Sequence, residues 1–294
     1  MKKILRNNLT GLALAIVISG CVSIPEQPQI ISQSSDGNIS TLSGSCNTSP
    51  AHQVNQPIEH ALNPAGFSLL NWNVYKGNRK TWSDDFIKIS SQKDIVLLQE
   101  ALLSVELKSI LNAQGLNWHL NTAFYYGDQE TGVMTAAKVD SNTHCALRAI
   151  EPIIRTPKTT LISRYTLAGM SEQLLVANIH GINFTLGLDA YRDQLNALED
   201  ILAQHGGPIV LAGDFNNWTD ARTRLIAEMV GRLSLQQLPY ENHNRTMVLG
   251  STIDHIFYRD LSVVSHETHQ VTSSDHNPIT VIFKAIDTRI ARKS

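Results

Sequence analysis

From residue 67 onward, short apolar runs alternate with amphipathic stretches, which predicts a chain of many strands and few helices. Two stretches with apolar residues at three- and four-residue steps predict helices. One runs from Leu188 to Leu202, and the other runs from Thr219, a predicted N-cap, to Val230. Nine runs predict strands: Phe67–Val74, Asp94–Gln99, Gly132–Val139, Thr160–Tyr165, Gln173–Ile179, Pro208–Ala212, Thr252–Tyr258, Leu261–Ser265 and Pro278–Phe283. This mixture predicts an α/β sandwich with helices outside two packed sheets.

The first 20 residues have the pattern of a signal peptide. A basic start, with Lys2, Lys3 and Arg6, precedes an apolar run from Leu9 to Ile18. The run is too short for a transmembrane helix, which needs about 20 apolar residues, but it has the length of a signal core.

The end of this segment, Ile18-Ser19-Gly20-Cys21, resembles a bacterial lipobox. In such lipoproteins the cysteine is acylated and becomes the first residue of the mature chain. Val22 follows instead of an aspartate, which resembles the pattern for sorting to the outer membrane. A plain cleaved signal followed by a chance cysteine is the alternative interpretation.

The region from 21 to 66 has the composition of a tether. From Val22 to Gly66 there is no lysine or arginine, and the stretch holds five prolines and eight serines without a helical or strand period. We therefore predict a signal peptide at 1–20, a tether at 21–66, one domain at 67–286 and a tail at 287–294. Cys46 and Cys145 remain as an even pair, and either a disulfide or two separate thiols fits the sequence.

Composition narrows the classes of function. The chain has 294 residues and is 42% hydrophobic, enough for one large domain or two small ones. Its formal charge is −2, and loss of residues 1–20 leaves 21 cations against 26 acidic groups. Bulk attraction to phosphate is therefore not the main force in whatever the protein binds.

Polar residues at the ends of the predicted strands carry the candidate chemistry. Oxygen donors dominate this set, which suits Mg²⁺ or Mn²⁺ better than structural zinc. A histidine with a separate aspartate is a common composition of an oriented general base. Together these groups indicate metal-assisted hydrolysis of a phosphate ester. The set is Asn73, Glu100, Asn178, His180, Asp214, Asn216, Asp254, Asp275 and His276.

Six short segments in order resemble the endonuclease/exonuclease/phosphatase superfamily, which includes DNase I, abasic-site endonucleases, neutral sphingomyelinases and inositol polyphosphate 5-phosphatases. The likeness covers about residues 67 to 284 and implies a DNase I-like four-layer α/β sandwich, with two packed mixed β-sheets flanked by helices. The segments are Trp72-Asn73-Val74, Leu98-Gln99-Glu100, Asn178-Ile179-His180, Gly213-Asp214-Phe215-Asn216, Ile253-Asp254-His255 and Ser274-Asp275-His276-Asn277-Pro278.

The resemblance also implies roles for single residues. The metal ligands would be Glu100, Asn73 and Asp275, with Mg²⁺ or Mn²⁺ as the cofactor. The catalytic residues would be His276, its orienting partner Asp254, the water-positioning Asp214, and His180, which would donate to a phosphate oxygen. The abasic-endonuclease branch lacks this last histidine, so the likeness departs from that branch.

Three further residues are candidates for substrate binding. Asn216 matches a phosphate-binding amide of the family. Asn178 either contacts substrate or forms a structural hydrogen bond beneath His180. Lys158 either touches a phosphate or is a solvated lysine at a strand edge.

The sequence therefore predicts a metal-dependent phosphodiesterase or nuclease that works by in-line attack of water. A phosphodiesterase or phosphatase acting on phospholipids or small molecules is the alternative, and a non-catalytic envelope binding protein is a further one. We expect a monomer, anchored through lipid on Cys21 in the envelope of a Gram-negative bacterium, at its outer membrane.

Overall fold

The computed structural model of the chain describes residues 22–43, 45–46, 61–240 and 244–286. The predicted signal peptide at 1–20, the predicted acylation site Cys21 and the predicted tail at 287–294 lie outside the described residues. No helix in the described ranges is long and apolar enough to cross a membrane.

The described residues form four α-helices: α1 (Trp82–Ser90), α2 (Val105–Ala113), α3 (Asp189–Leu202) and α4 (Asp220–Arg232). The strands, in chain order, are β1 (Val22–Ser23), β2 (Gln29–Gln33), β3 (Ile39–Ser43), β4 (Phe67–Asn73), β5 (Ile95–Leu102), β6 (Asn117–Tyr126), β7 (Gln129–Ala137), β8 (Thr143–Ile150), β9 (Pro157–Tyr165), β10 (Leu174–His180), β11 (Ile209–Asp214), β12 (Gln236–Gln237), β13 (Met247–Val248), β14 (Ser251–Thr252), β15 (Asp254–Arg259), β16 (Leu261–Thr268) and β17 (Ile279–Ala285).

Most strands belong to two mixed sheets. The first sheet has the order β16-β17-β4-β5-β7-β6-β2-β3, with β1 added on β6. The second sheet has the order β12-β15-β11-β10-β9-β8. Among the strands of the described residues, β4 with β5 and β10 with β11 are the parallel pairs, so each sheet has one parallel pair near its middle. The carboxyl ends of these four strands mark the edge that carries the site.

Three clusters of buried side chains define the layers. One cluster lies between the sheets and joins residues such as Leu69 of β4 to Val210 of β11. A second packs α1 and α2 on the outer face of the first sheet, around Trp72. A third packs α3 and α4 on the outer face of the second sheet, around Leu211. This arrangement, with helices outside two packed sheets, confirms the predicted four-layer sandwich.

The N-terminal segment differs from the prediction of a tether without strands. Residues 22–43 form β1, β2 and β3, and β2 pairs with β6 from Ile30↔Asn121 to Gln33↔Trp118. Ile30 and Ile31 are both buried, one on each face of the sheet. In the sequence, β2 is marked by two adjacent apolar residues inside a polar stretch. Such a run is too short to predict a strand from periodicity.

Several other elements were absent from the prediction. The helices α1 and α2 are each nine residues long, and β6 and β8 mix polar residues with apolar ones on buried faces. Such strands show no clean alternation, because polar groups such as Asn121 are buried and bonded to main-chain oxygens.

A disulfide joins Cys46 to Cys145 of β8, with the two Cα atoms 5.0 Å apart. The backbone N–H of Cys46 also donates to the oxygen of Ala146 at 3.0 Å. Of the two interpretations left open by the sequence, the structure supports the bridge. It fastens the N-terminal segment, which pairs with the first sheet, to the second sheet as well.

Candidate active site

The site lies where the carboxyl ends of the two parallel strand pairs face each other. Asn73 ends β4 and Asp214 ends β11, and the Asn73 Nδ2 donates to Asp214 Oδ2 across the gap at 3.1 Å. Beneath them, Gln99 Nε2 donates to Asn178 Oδ1 at 2.6 Å. These two hydrogen bonds hold the strand ends of both sheets in one edge.

A buried carboxylate–histidine pair forms the centre of the site. His276 Nδ1 lies 2.8 Å from Asp254 Oδ2, and His276 Nε2 lies 3.8 Å from Asp214 Oδ2. Burial disfavours the imidazolium, but Asp254, Asp214 and Asp275 outweigh burial and raise the pKa of His276 to about 10. Burial raises the pKa of Asp214 to about 6. The resting site therefore combines a cationic imidazole with a carboxylate that binds a proton near neutral pH.

Regular strand pairing places most of these groups. Asp214 is paired with His180 on one side and with Asp254 on the other, so all three side chains leave the sheet at one level. Asp214 Oδ1 accepts from the backbone N–H of Asn216 at 3.0 Å. Gly213 is required here, because a Cβ would lie 1.9 Å from the oxygen of Ile179.

The loop that carries His276 is fixed by the first sheet. Trp72 Nε1 donates to the His276 oxygen at 2.9 Å, and Ser274 Oγ donates to the Asn73 oxygen at 2.7 Å. Trp72 is therefore a core residue that holds the catalytic loop from below.

His180 is neutral and accepts a hydrogen bond. Lys158 Nζ lies 2.7 Å from His180 Nε2, so the ring nitrogen that faces the site accepts and the proton is on Nδ1. Burial, followed by the charge of Lys158, lowers the pKa of His180 well below its ordinary value. The positive charge at this point belongs to Lys158, which lies in the site and is not a solvated edge lysine. In this structure the His180 nitrogen that faces the site accepts a hydrogen bond, so it does not carry the proton that the predicted donation to a phosphate oxygen needs.

Glu100 projects from a bulge in β5. The pairing with β7 shifts between Leu98 and Ala101, and Glu100 has a φ of 50°. Its carboxylate forms an ion pair with Lys76 and lies 4.0 Å from His180 Nε2. Burial opposes ionisation, but the positive charges of Lys76 and Lys158 outweigh it and lower the pKa of Glu100 to about 2.

Lys76 is the site residue that the sequence analysis missed. It follows the strand end that carries Asn73, and both Tyr75 and Lys76 have positive φ values, 48° and 58°. Asn73 Oδ1 accepts from the backbone N–H of Tyr75 at 3.1 Å and so holds this turn. The sequence feature that could have predicted Lys76 as a site residue is its position, because it is a basic residue just after the strand end that carries the candidate ligand Asn73.

Asn178 and Asn216 both form structural hydrogen bonds. Asn178 is fully buried; its Oδ1 accepts from Gln99, and its Nδ2 donates to the oxygens of Leu98 and Met134. Of the two roles left open for Asn178, the structure supports the structural hydrogen bond and not contact with substrate, because this side chain joins the two sheets beneath the site. Asn216 Nδ2 donates to Gly181 and Asp214 oxygens, so in this structure it positions the loop, and phosphate binding by it stays a prediction.

The predicted metal ligands differ in their surroundings. Asn73 lies in the centre, while Asp275 is exposed and accepts from Ser274 Oγ at 3.3 Å. The metal role of Asp275 therefore stays a prediction.

The oxygen donors present do fit a divalent cation. The ligand atoms of Asp214, Asp254 and His276 all lie within 4.8 Å of one another. Asp254 Oδ1 is buried and has no hydrogen-bond partner. This cluster includes the cationic imidazole of His276, which repels a metal ion, so the carboxylate of Glu100 and the amide oxygen of Asn73 fit Mg²⁺ or Mn²⁺ better.

Comparison with known proteins agrees with this geometry. The chain is 38% identical over 282 residues to a UPF0294 protein of Vibrio campbellii, covering 92% of this chain and 96% of the relative. The human Nocturnin catalytic domain, solved with a bound sulfate anion, superposes with a TM-score of 0.59 at 16% identity, over 77% of this chain and 96% of that one. ANGEL2, a 2′,3′-cyclic phosphatase solved with adenosine-2′,3′-vanadate, gives 0.56 at 15% identity, over 78% and 97%. The family model for Endonuclease/Exonuclease/phosphatase proteins matches residues 70–276, and the chain therefore belongs to that family.

Proposed function

We propose that this protein is a divalent-metal-dependent phosphodiesterase that hydrolyses a phosphate ester by in-line attack of water. The observation that carries the proposal is the meeting of an acid–base pair with two lysines at one edge. Asp214 Oδ2 lies 3.8 Å from His276 Nε2 and 3.5 Å from His180 Nε2. Members of this family are typically hydrolases acting on phosphate esters.

The two central groups divide the proton transfers. Asp214, whose pKa is raised to about 6, accepts the proton of the attacking water. His276, whose pKa is raised to about 10, holds its proton at Nε2 and presents positive charge to a phosphate oxygen. Two groups whose pKa values are pushed apart in this way can act as base and acid in one reaction.

Lys158 supplies fixed positive charge on the remaining side, where it lies against His180, whereas Lys76 lies against Glu100. Negative charge grows on the phosphate oxygens in the transition state, and cations placed beforehand stabilise it more than they stabilise the substrate.

A bound Mg²⁺ or Mn²⁺ would be held on the Glu100 side, by Glu100 and Asn73, with Asp275 as the third predicted ligand. A place on Asp214, Asp254 and His276 is less suitable, because the imidazolium would repel a second positive charge. When bound, the ion supplies positive charge to a phosphate oxygen and to the leaving oxygen. Glu100 is ionised, since its pKa is lowered to about 2, and Lys76 is the group that must move aside.

The substrate classes left open by the sequence remain nucleic acids, phospholipids and small phosphodiesters. We further propose that the chain is anchored through lipid on Cys21 in a Gram-negative envelope, with the outer membrane as its place. The disulfide between Cys46 and Cys145 supports an oxidising compartment.

The test is a hydrolysis assay on the chain from Val22 to Ser294, which contains every described element. Plasmid DNA, RNA, a phospholipid and a chromogenic phosphodiester are offered with Mg²⁺, Mn²⁺ or EDTA. His276→Ala and Asp214→Ala test the site, and Asp84→Asn, at an exposed position in α1, is the matched control. We expect turnover with metal that EDTA abolishes and that both site variants lose.

Equal turnover in His276→Ala and in the control would contradict the proposal. Binding of Mn²⁺ without turnover of any substrate would favour the non-catalytic alternative. The substrate that is cut decides between nuclease and lipid or small-molecule phosphodiesterase.

A further inference from the structure

Exposed apolar side chains collect in the loops at the catalytic edge. In the second sheet, Ile150 pairs with Pro157 and Thr160 pairs with Ile179, which precedes His180. The turn at 151–156 therefore lies at the same edge as His180. Its tip carries Ile153, which is 53% exposed, and Ile154, which is 39% exposed.

A second apolar loop follows β10 directly. It carries Phe184 and Leu186, which are 48% and 89% exposed. The fully buried Glu151 accepts hydrogen bonds from the backbone N–H groups of Asn183 and Phe184, at 2.5 and 3.1 Å. One carboxylate thus holds the two loops side by side, and we call these two loops, 151–156 and 183–187, the apolar rim.

The apolar rim carries one exposed cation. From residue 151 to 156 the chain carries Arg155, which is exposed, and its only acidic residue, Glu151, is buried. Asp189, just beyond the other loop, is paired with Arg192. Apolar side chains next to an exposed cation are the combination that favours the surface of a bilayer with anionic phosphates. A water-facing surface gains nothing from exposing a side chain such as Leu186.

The N-terminus of the described chain lies at this same edge. Leu102, two residues after Glu100, pairs with Thr131, and the β6–β7 hairpin turns just beyond, after Tyr126. Val22 pairs with Tyr126. Since β7 and β6 separate β1 from β5, Val22 lies about 15 Å across the sheet from the Glu100 strand.

This position constrains any anchor on the preceding residue. The segment is held close, because Val22 and Ser23 are paired with β6 and Arg148 donates to the Pro25 oxygen at 2.6 Å. A lipid on Cys21 would leave no long spacer between the bilayer and the catalytic edge.

We propose that the catalytic edge docks on a phospholipid bilayer, with the apolar rim entering the interface and Arg155 meeting a lipid phosphate. Binding needs no turnover, so it is independent of the proposed hydrolase activity, and it is measured on a chain without Cys21.

The test is sedimentation of the 22–294 chain with sucrose-loaded vesicles of phosphatidylglycerol and phosphatidylethanolamine, or of phosphatidylcholine alone. We expect binding to the anionic vesicles, reduced at least tenfold by the double substitution Ile153→Glu and Leu186→Glu. Val264→Glu is the matched control, since Val264 is 61% exposed in β16 away from this edge. His276→Ala should bind vesicles as the wild type does.

A spectroscopic readout locates the contact. Tryptophan placed by Leu186→Trp should shift its emission to the blue on anionic vesicles, and tryptophan placed by Val264→Trp should not. The proposal is overturned if no vesicle is bound, if Val264→Glu is as harmful as the rim substitutions, or if the rim binds single-stranded DNA instead. Vesicle binding without hydrolysis would leave this proposal standing and count only against the proposed function.

Discussion

The two sheets position their site residues in different ways. In the second sheet, His180, Asp214 and Asp254 sit in register at regular strand ends and are buried. In the first sheet, Lys76 and Glu100 project from positive-φ backbone, one after β4 and one in a bulge, and meet in a half-buried ion pair. We call the second-sheet group the regular half of the site and the first-sheet group the strained half. Under the proposed function, the regular half carries the proton transfers, and the strained half exchanges Lys76 for the metal ion.

Asp254→Asn, in the regular half of the site, should have the largest effect on turnover. The imidazolium of His276 loses the carboxylate that holds its Nδ1–H, so its pKa falls and its ring is no longer oriented. We expect kcat to fall about 10²- to 10³-fold. The pKa of His276, measured by NMR of its ring protons, should drop from about 10. An unchanged pKa and rate, equal to those of Asp84→Asn, would contradict this role.

Gly213→Ala should destabilise the fold that presents Asp214. A Cβ there would lie 1.9 Å from the oxygen of Ile179 on the neighbouring strand. We expect a loss of about 2–3 kcal/mol in the free energy of unfolding, measured by urea denaturation. Gly231→Ala in α4 is the matched control, because nothing lies within 4 Å of its added Cβ. It should stabilise by about 0.5–1 kcal/mol. Similar effects at both glycines would refute the argument.

Lowering the pH should reduce the free energy of unfolding through His255, which lies beside Asp254 in the regular half of the site. Burial, followed by the charge of Arg245, lowers the pKa of His255 to about 3. The stability that it contributes is therefore complete above its unfolded pKa of about 6.5 and is lost as pH falls toward 3. From pH 7 to pH 5 this costs about 2 kcal/mol.

The His255→Gln variant isolates that term, because it carries no titrating group there. Its free energy of unfolding should fall less between pH 7 and pH 5 than that of the wild type, by about 2 kcal/mol. Parallel pH dependence of the two proteins would show that His255 is not held neutral.

Lys76→Met, in the strained half of the site, should raise the affinity for Mn²⁺. Removing the lysine frees Glu100 from an ion pair worth about 1 kcal/mol, so Mn²⁺ affinity should rise about three- to tenfold by calorimetry. Glu100→Gln should abolish the signal. Lys138→Met, which breaks the ion pair with Asp94 elsewhere, should change nothing. Weaker metal binding in Lys76→Met would show that the lysine supports the site instead of competing for it.

The regular half of the site was predictable from the sequence, and the strained half was not. Asp214 and His180 follow apolar runs and Asp254 lies near the start of one, and the resemblance to the family, not periodicity alone, indicated that they share a site. Glu100 was found by the same rule, but its partner Lys76 depends on two positive-φ residues that leave no periodic signal. For Asn178 the sequence left two roles open, because a polar residue near a strand end can join two sheets, as it does here with Gln99, instead of facing a substrate.

The strands also differ in how well the sequence predicted them. Long apolar runs predicted β4, β5, β10, β11 and β17, whereas β2 was missed. Its two buried isoleucines have value only once β6 is there to pair with them. A strand whose burial depends on a distant partner carries little local signal.

The N-terminal strand pairing also sets an order of folding. The chain is made from its N-terminus, yet β2 cannot pair until β6 exists, and Cys46 must wait for Cys145, 99 residues later. A strand made early but placed late raises the contact order and slows folding. During that wait Ile30 and Ile31 remain exposed in a polar segment, whose serines and lack of long apolar runs keep the unpaired strand soluble. The composition that resembles a tether is thus suited to a strand that must stay unpaired until the rest of its sheet is made.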